Sequence, residues 1–228
     1  MKPVVRPAVI AIDGPAASGK STVGKALADA LDYLYLDTGA MYRAVTWLAL
    51  QNALAIGDEI AVTALAEQAD IDVLPAGTAR DGRQYTVLAD GYDITWEIRS
   101  PDVGAYVSEV SAYAGVRAAM VAQQRRLAAR GRMVVVGRDI GTVVLPDAPL
   151  KIYLDASPLE RARRRWREEQ ARGGVRSEAA VLAEVRHRDG IDSTREMSPL
   201  RPAADAWIID SSALNAHEVT ALILSAIQ

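Results

Sequence analysis

The chain has 228 residues and a formal charge of −3; half of the residues are apolar and about a quarter are charged. That length suits one large α/β domain with room for a small insert, and the acidic balance supplies no global basic field for nucleic acid. The lack of any cysteine excludes disulfides, thiolate metal sites and cysteine nucleophiles. No apolar stretch approaches the roughly 20 residues of a membrane span, so a cytoplasmic protein without a membrane or nucleic-acid partner is expected.

The few residues ahead of the first strand are too short a leader for a signal peptide. An apolar run at residues 8–13 then opens into Gly14-Pro15-Ala16-Ala17-Ser18-Gly19-Lys20-Ser21. These eight residues fit G-x-x-x-x-G-K-[ST], and a helical pattern over 21–31 follows. Strand, glycine loop and helix is the setting a phosphate-binding loop needs. Gly14 and Gly19 allow backbone angles and a close approach that a side chain would block. The candidate triphosphate-binding residues are Gly14, Ala16, Ala17, Ser18, Gly19, Lys20, Ser21 and Thr22. Backbone N–H groups at the positive end of the helix dipole suit phosphate oxygens, and Lys20 reaches the β- and γ-phosphates. The Ser21 hydroxyl can ligate Mg²⁺. A nucleoside triphosphate with Mg²⁺ is therefore the expected ligand.

A second apolar segment, residues 33–36, ends at Asp37, and helical spacing continues over 40–52 and again over 61–69. Residues 71–74, 84–88 and 92–95 are short β-like runs separated by turn signals at Pro75, Gly77, Asp81-Gly82 and Asp90-Gly91. They predict a small antiparallel insert over residues 70–98. Two helices meeting near Gly115 are expected over 102–130. Residues 133–136, all apolar and mostly β-branched, predict a central parallel strand; residues 150–154 predict another. Helices are expected at 158–171 and 178–189, a strand at 206–209 and a last helix at 216–227. Strands alternating with helices predict an α/β fold, a parallel sheet covered by helices on both faces.

In such sheets ligands bind beyond the carboxyl ends of the strands. Three strands are followed by polar, glycine-bearing segments: the phosphate loop, Asp37-Thr38-Gly39-Ala40-Met41-Tyr42-Arg43, and Gly137-Arg138-Asp139-Ile140-Gly141-Thr142. An Arg-Asp pair directly after four buried aliphatics suits ligand contact, though a structural ion pair closing the strand end would also account for it. Arg188, Asp192 and Arg195 are spaced i, i+4, i+7 and share one face if their helix continues; surface ion pairs on a solvated helix end would give the same pattern. The basic run Glu160-Arg161-Ala162-Arg163-Arg164-Arg165-Trp166-Arg167 reads as a lid carrying arginines, or as an exposed helix paired with its own glutamates. The two histidines, His187 and His217, do not follow strands, and the Asn-Lys-x-Asp and His-Arg-Asp motifs of GTPases and protein kinases are absent.

Taken in order, the phosphate loop, Asp-Thr-Gly-Ala-Met-Tyr-Arg, Gly-Arg-Asp-Ile-Gly-Thr and Arg-Asp-x-x-Asp-x-x-Arg resemble the bacterial cytidylate kinases over nearly the whole chain. The resemblance implies a P-loop kinase core at 1–69 and 99–228, a lid at about 157–174 and a CMP-binding insert at 70–98. It implies transfer of the ATP γ-phosphoryl group to CMP or dCMP with Mg²⁺, by a monomer. By matching position, acceptor-phosphate arginines fall on Arg43, Arg138 and Arg195, which with Lys20 make the expected catalytic set. Base-reading residues fall on Ser108, Arg117 and Asp139, and ribose-holding ones on Arg188 and Asp192. Thr38 and Tyr42 line the same acceptor pocket. Ile191 stands where some members carry a further arginine, for which Arg163 or a neighbour in the lid can compensate.

The chemistry agrees. ATP and a monophosphate together carry several negative charges that a low-dielectric site must balance with fixed cations, and guanidinium forks also fix orientation. A phosphate acceptor is already ionised and needs no general base. Other readings remain at this point: a kinase for UMP or AMP, a sugar or shikimate-type kinase, and an ATP-binding regulatory module with little turnover.

Overall fold

The computed structural model describes residues 6–171, 173–194 and 197–227. In chain order the elements are β1 (Val9–Asp13), α1 (Lys20–Leu31), β2 (Leu34–Asp37), α2 (Thr38–Gln51), α3 (Glu59–Gln68), β3 (Ile71–Pro75), β4 (Tyr85–Ala89), β5 (Tyr92–Asp93), α4 (Pro101–Val110), α5 (Ala114–Ala128), β6 (Met133–Val136), β7 (Leu150–Asp155), α6 (Pro158–Ala171), α7 (Glu178–Thr194), β8 (Trp207–Asp210) and α8 (Ala216–Ser225). A 3₁₀ turn at Glu97–Arg99 precedes α4, and a π-helical turn at Ile140–Val144 follows β6. The chain divides into two compact units, residues 1–33 with 134–228 and residues 34–133.

In the first unit β6, β1, β7 and β8 are successive neighbours in a sheet. β1 pairs with β7 in parallel from Ile10 opposite Leu150 to Asp13 opposite Tyr153, and β7 pairs in parallel with β8. β1, β6 and β7 lack regular polar alternation because both of their faces are largely buried, whereas β8, next to β7, leaves Ile208 exposed. Ile10, Ile12, Val134, Val135, Ile152 and Leu154 are all buried to 1 % exposure or less. Each such aliphatic side chain contributes about 1.5–3 kcal/mol of burial. α6 and α7 meet around Ala162, Val181 and Val185, with Trp166 and Leu182 packed against them.

The second unit carries the antiparallel sheet β3-β4-β5. Its register runs from Ile71 opposite Ala89 to Pro75 opposite Tyr85. The third run expected at 92–95 is a strand only at Tyr92–Asp93. Beyond it the Thr95 hydroxyl takes over, accepting the Val87 N–H at 2.9 Å and donating to the Asp93 carboxylate at 2.6 Å.

Two helix boundaries differ from expectation, one for a local and one for a long-range reason, and the break between α4 and α5 falls where it was expected. α2 begins at Thr38 because the Asp37 carboxylate caps it, accepting the Gly39 N–H at 3.0 Å. α4 and α5 break at residues 111–113, just ahead of Gly115. α7 runs on to Thr194 rather than stopping at 189, carried there by long-range partners of Asp189 and Asp192.

Candidate active site

The phosphate loop has the conformation its letters require. Gly14 has φ +148, and a Cβ there would lie 2.0 Å from the Leu154 carbonyl oxygen on the neighbouring strand, so only glycine fits. Gly19, with φ +95, is the N-cap of α1. Between them Ala17 also has positive φ, at 59, a modest strain of the kind found at ligand-gripping backbone. The Lys20 ammonium folds back over the loop and donates to the Pro15 carbonyl at 2.6 Å and the Ser18 hydroxyl at 3.4 Å. Ser21 and Thr22 begin α1 and are exposed.

The outward carbonyls of the loop are held by arginines. Arg138 donates to Gly14 at 2.9 Å, Arg161 to Ala16 at 3.1 Å and Arg164 to Ser18 at 3.4 Å. Those bonds fix the loop peptides that carry the Ala17 and Gly19 N–H groups. Arg161 is 3 % exposed and forms a two-point pair with Asp189 at 2.9 and 2.6 Å. Arg164 also donates to Ser211 and Leu214 carbonyls. Reading the sequence did not single out Arg161 and Arg164 for this task; the i, i+3 spacing that puts both on one face of α6 was the available signal.

Residues 137–142 lie beside the loop. Arg138 donates through Nε to Asp192 at 2.7 Å, so the strand-end Arg-Asp pair does not close on itself. Asp139 is buried and caps no amide of the π-helical turn that follows it. Asp13, read from sequence only as a strand end, accepts the Ile140 and Gly141 N–H groups, each at 2.7 Å. Burial pushes the Asp13 carboxyl up to about 6, opposed by those two amides and by Lys20 and reinforced by Asp139. Arg188 and Asp192 both lie on α7, as the continued helix requires. Arg195 lies outside the described residues.

Arg163 pairs with Glu160 and Glu178, and Arg165 with Glu169 and Glu184. These arginines of the basic helix are therefore paired with glutamates of α6 itself and of α7.

The other expected residues belong to the second unit. Thr38 and Tyr42 are buried on α2, and the Arg117 guanidinium, 3 % exposed, sits 5.4 Å from the Tyr42 ring centroid. Arg117 also donates to the Ser111 carbonyl at 3.2 Å. Ser111 in turn donates to the Ser108 carbonyl at 3.0 Å, and Arg43 donates to the Ile98 carbonyl at 3.2 Å. The Tyr42 ring is thus a cation–π partner of the buried Arg117 guanidinium. Among the described residues no cluster of three or more His, Cys, Asp or Glu is placed to hold a metal ion. Mg²⁺ on a nucleotide needs none, because it keeps waters and phosphate oxygens as ligands and takes one or two from protein; the Ser21 hydroxyl fits that demand.

The family model described as cytidylate kinase matches residues 10–228. The chain belongs to the cytidylate kinase family. A cytidylate kinase from Roseiflexus castenholzii is 52 % identical over 221 residues, covering 97 % of this chain and 94 % of that one. One from Carboxydothermus hydrogenoformans is 49 % identical over 218 residues, 96 % of each chain. Among solved structures, an uncharacterized protein from Eubacterium ventriosum aligns over 95 % of this chain and 96 % of its own, with a TM-score of 0.53 and 12 % identity. That last likeness concerns the fold alone. As a cytidylate kinase family member the chain is a phosphotransferase with a nucleoside monophosphate kinase fold. Among the described residues no helix is long and apolar enough to cross a membrane.

Proposed function

We propose that this chain transfers the γ-phosphoryl group of ATP to the phosphate of CMP or dCMP, giving ADP and CDP or dCDP, as a cytoplasmic monomer. The observation that carries the reading is the family match over 97 % of the chain at 52 % identity. The phosphate loop with its arginine-held carbonyls supports it independently. An acceptor phosphate oxygen attacks the γ-phosphorus in line, and the bond to the ADP oxygen breaks. No base is required because the acceptor is already ionised. The protein's part is positioning and charge stabilisation of a loose transition state.

In this reading Gly14, Ala16, Ala17, Ser18, Gly19, Ser21 and Thr22 with the Lys20 ammonium grip the triphosphate. The Ser21 hydroxyl would hold Mg²⁺ brought in with ATP, and the ion would supply charge neutralisation to the triphosphate. Arg43, Arg138 and Arg195 serve the acceptor phosphate, and Arg188 and Asp192 its ribose. Ser108, Arg117 and Asp139 read the base. Cytosine presents an amino donor suited to the Asp139 carboxylate and acceptors suited to Arg117, whereas uracil turns an oxygen toward the acid. Residues 70–98 serve as the acceptor insert and about 157–174 as the lid. The test is ADP formation from ATP and Mg²⁺ with CMP, dCMP, UMP, AMP and GMP in parallel. Strong turnover on CMP and dCMP with weak UMP is expected. No turnover on any of them, from protein that still binds ATP, refutes the assignment.

A further inference from the structure

We propose that Asp13 is a positioning residue for phosphoryl transfer: it locks residues 137–142 to the root of the phosphate loop, so that Arg138 and Asp139 are fixed before an acceptor arrives. The consequence for transfer rests on the phosphotransferase reading; the lock itself rests on geometry.

Asp13 is the last residue of β1 and the residue before Gly14. Its carboxylate is 3 % exposed, and its two oxygens are each taken by one amide, Ile140 on Oδ1 and Gly141 on Oδ2. Those amides open the π-helical turn Ile140–Val144, in which the Val144 N–H bonds to the Asp139 carbonyl at 3.1 Å and the Leu145 N–H to the Ile140 carbonyl at 2.7 Å. The first amides of any helical turn have no partner within it. A side chain at the N-cap ordinarily supplies one, and the N-cap here is Asp139, which makes no such bond. The caps come instead from a strand 127 residues away in sequence.

Two further contacts make the lock tight. Gly141 lies against the Lys151 stem and Asp13: an added Cβ would meet Lys151 Cδ at 3.1 Å, Lys151 Cγ at 3.3 Å and Asp13 Oδ2 at 3.4 Å. Arg138 returns the connection by donating to the carbonyl of Gly14, the residue after Asp13. Adjacent residues 13 and 14 thus grip the segment on both sides of Asp139. The charged groups around the carboxylate are Lys20, Asp139, Arg138 and, on β7, Lys151; the Tyr153 phenol on the same strand is uncharged. Burial and Asp139 make the carboxylate costly to ionise, against Lys20 and the two amides, and a residue serving only to fill the site needs no charge.

The test uses the full-length chain and its Asp13→Asn variant. Asparagine keeps the shape but offers one acceptor oxygen in place of two. Amide hydrogen exchange at Ile140 and Gly141 should accelerate at least about tenfold in the variant. The kcat with CMP should fall about 100-fold, while KM and affinity for ATP change less than about threefold. A kcat within about threefold of wild type overturns the proposal. So does a joint loss of kcat and ATP affinity with a midpoint lowered by more than about 10 °C, which marks a merely structural residue. Should that variant not fold, Gly141→Ala presses on the lock from the other side and should show the same fall in kcat with KM for ATP unchanged. In wild type, the two amides should exchange as slowly as those of β1; fast exchange there overturns the lock whatever the variants do. Absence of monophosphate turnover by wild type refutes the phosphotransferase reading instead, and exchange then judges the lock alone.

Discussion

Removing Arg161 should both destabilise the first unit and loosen the phosphate loop. Its guanidinium donates to the Ala156 carbonyl at 2.8 Å, the Ala16 carbonyl at 3.1 Å and both oxygens of Asp189. Breaking a buried ion pair by deleting one partner costs about 3–5 kcal/mol, because the remaining charge is stranded. Asp189 keeps 24 % of its side chain exposed and so recovers some hydration, which moves the expectation to the low end. The two carbonyls lose their donors, at about 1 kcal/mol or more each where water cannot replace them, and these losses overlap with the first. Arg161→Ala should therefore cost about 3 kcal/mol, roughly a hundredfold in the folding equilibrium. Urea denaturation followed by tryptophan fluorescence measures it, with Trp166 and Trp207 reporting from the same unit. Asp189→Ala and the double variant complete the cycle and isolate the pair. Arg161→Lys should recover part of the stability but weaken ATP binding about tenfold, since one ammonium cannot reach all four oxygens. A cost under about 1 kcal/mol with negligible coupling would equate the pair with an ordinary surface contact and refute the reasoning.

Three other outcomes follow from single sites. The Asp13 carboxyl, raised from 3.8 to about 6 by burial, binds its proton more tightly in the folded than in the unfolded chain. It therefore costs stability above about pH 6, a cost lost as pH falls toward 3.8 and amounting to about 3 kcal/mol. The stability of Asp13→Asn relative to wild type should rise by about that much between pH 4 and pH 6 and then level off; a gap that does not vary with pH contradicts the shift. Gly14→Ala should cost at least about 3 kcal/mol and abolish ATP binding, because its Cβ meets a strand carbonyl. Gly77→Ala, at φ +60 in open space, should cost only about 1 kcal/mol, and thermal melting of the two tests the contrast. Asp139→Ala should narrow the CMP-to-UMP ratio of kcat/KM at least about tenfold; an equal fall for both substrates removes it from base reading.

The strand–loop–helix start was legible because glycine chemistry and buried apolar runs are local signals. Ile10, Ile12 and residues 133–136 announced buried strands by lacking alternation. The antiparallel runs were legible from Asp-Gly turns, although the third was too long because a threonine hydroxyl replaces its ladder. The end of α7 was not legible. Residues 186–194 carry charge, a glycine and little apolar spacing, and their helix is held by Asp189 on Arg161 and Asp192 on Arg138, partners 28 and 54 residues away. The π-helical turn was equally hidden, since its two caps come from Asp13. Arg138 and Asp139 could be suspected from position alone. Arg161, inside an arginine-rich run, could not be separated from its neighbours until burial did so.

The arginines around the loop act more through geometry than through charge. Arg138, Arg161 and Arg164 each carry a carboxylate partner, respectively Asp192, Asp189 and Glu160, so little net positive field is left from the three. What remains is direction. Each guanidinium fixes the oxygen end of one loop peptide; the Ala16 and Ser18 peptides carry the Ala17 and Gly19 N–H groups at their other ends, whereas the Gly14 peptide ends in Pro15 and has none. Orientation set before the ligand arrives spares the site reorganisation during transfer. For Arg138 the same arrangement is compatible with the proposed reaction. A guanidinium bound to Asp192 through Nε and to the Gly14 carbonyl through Nη1 uses two of its five N–H donors in those bonds. The proposed acceptor phosphate can therefore be met by the Nη2 edge while both structural bonds stay in place.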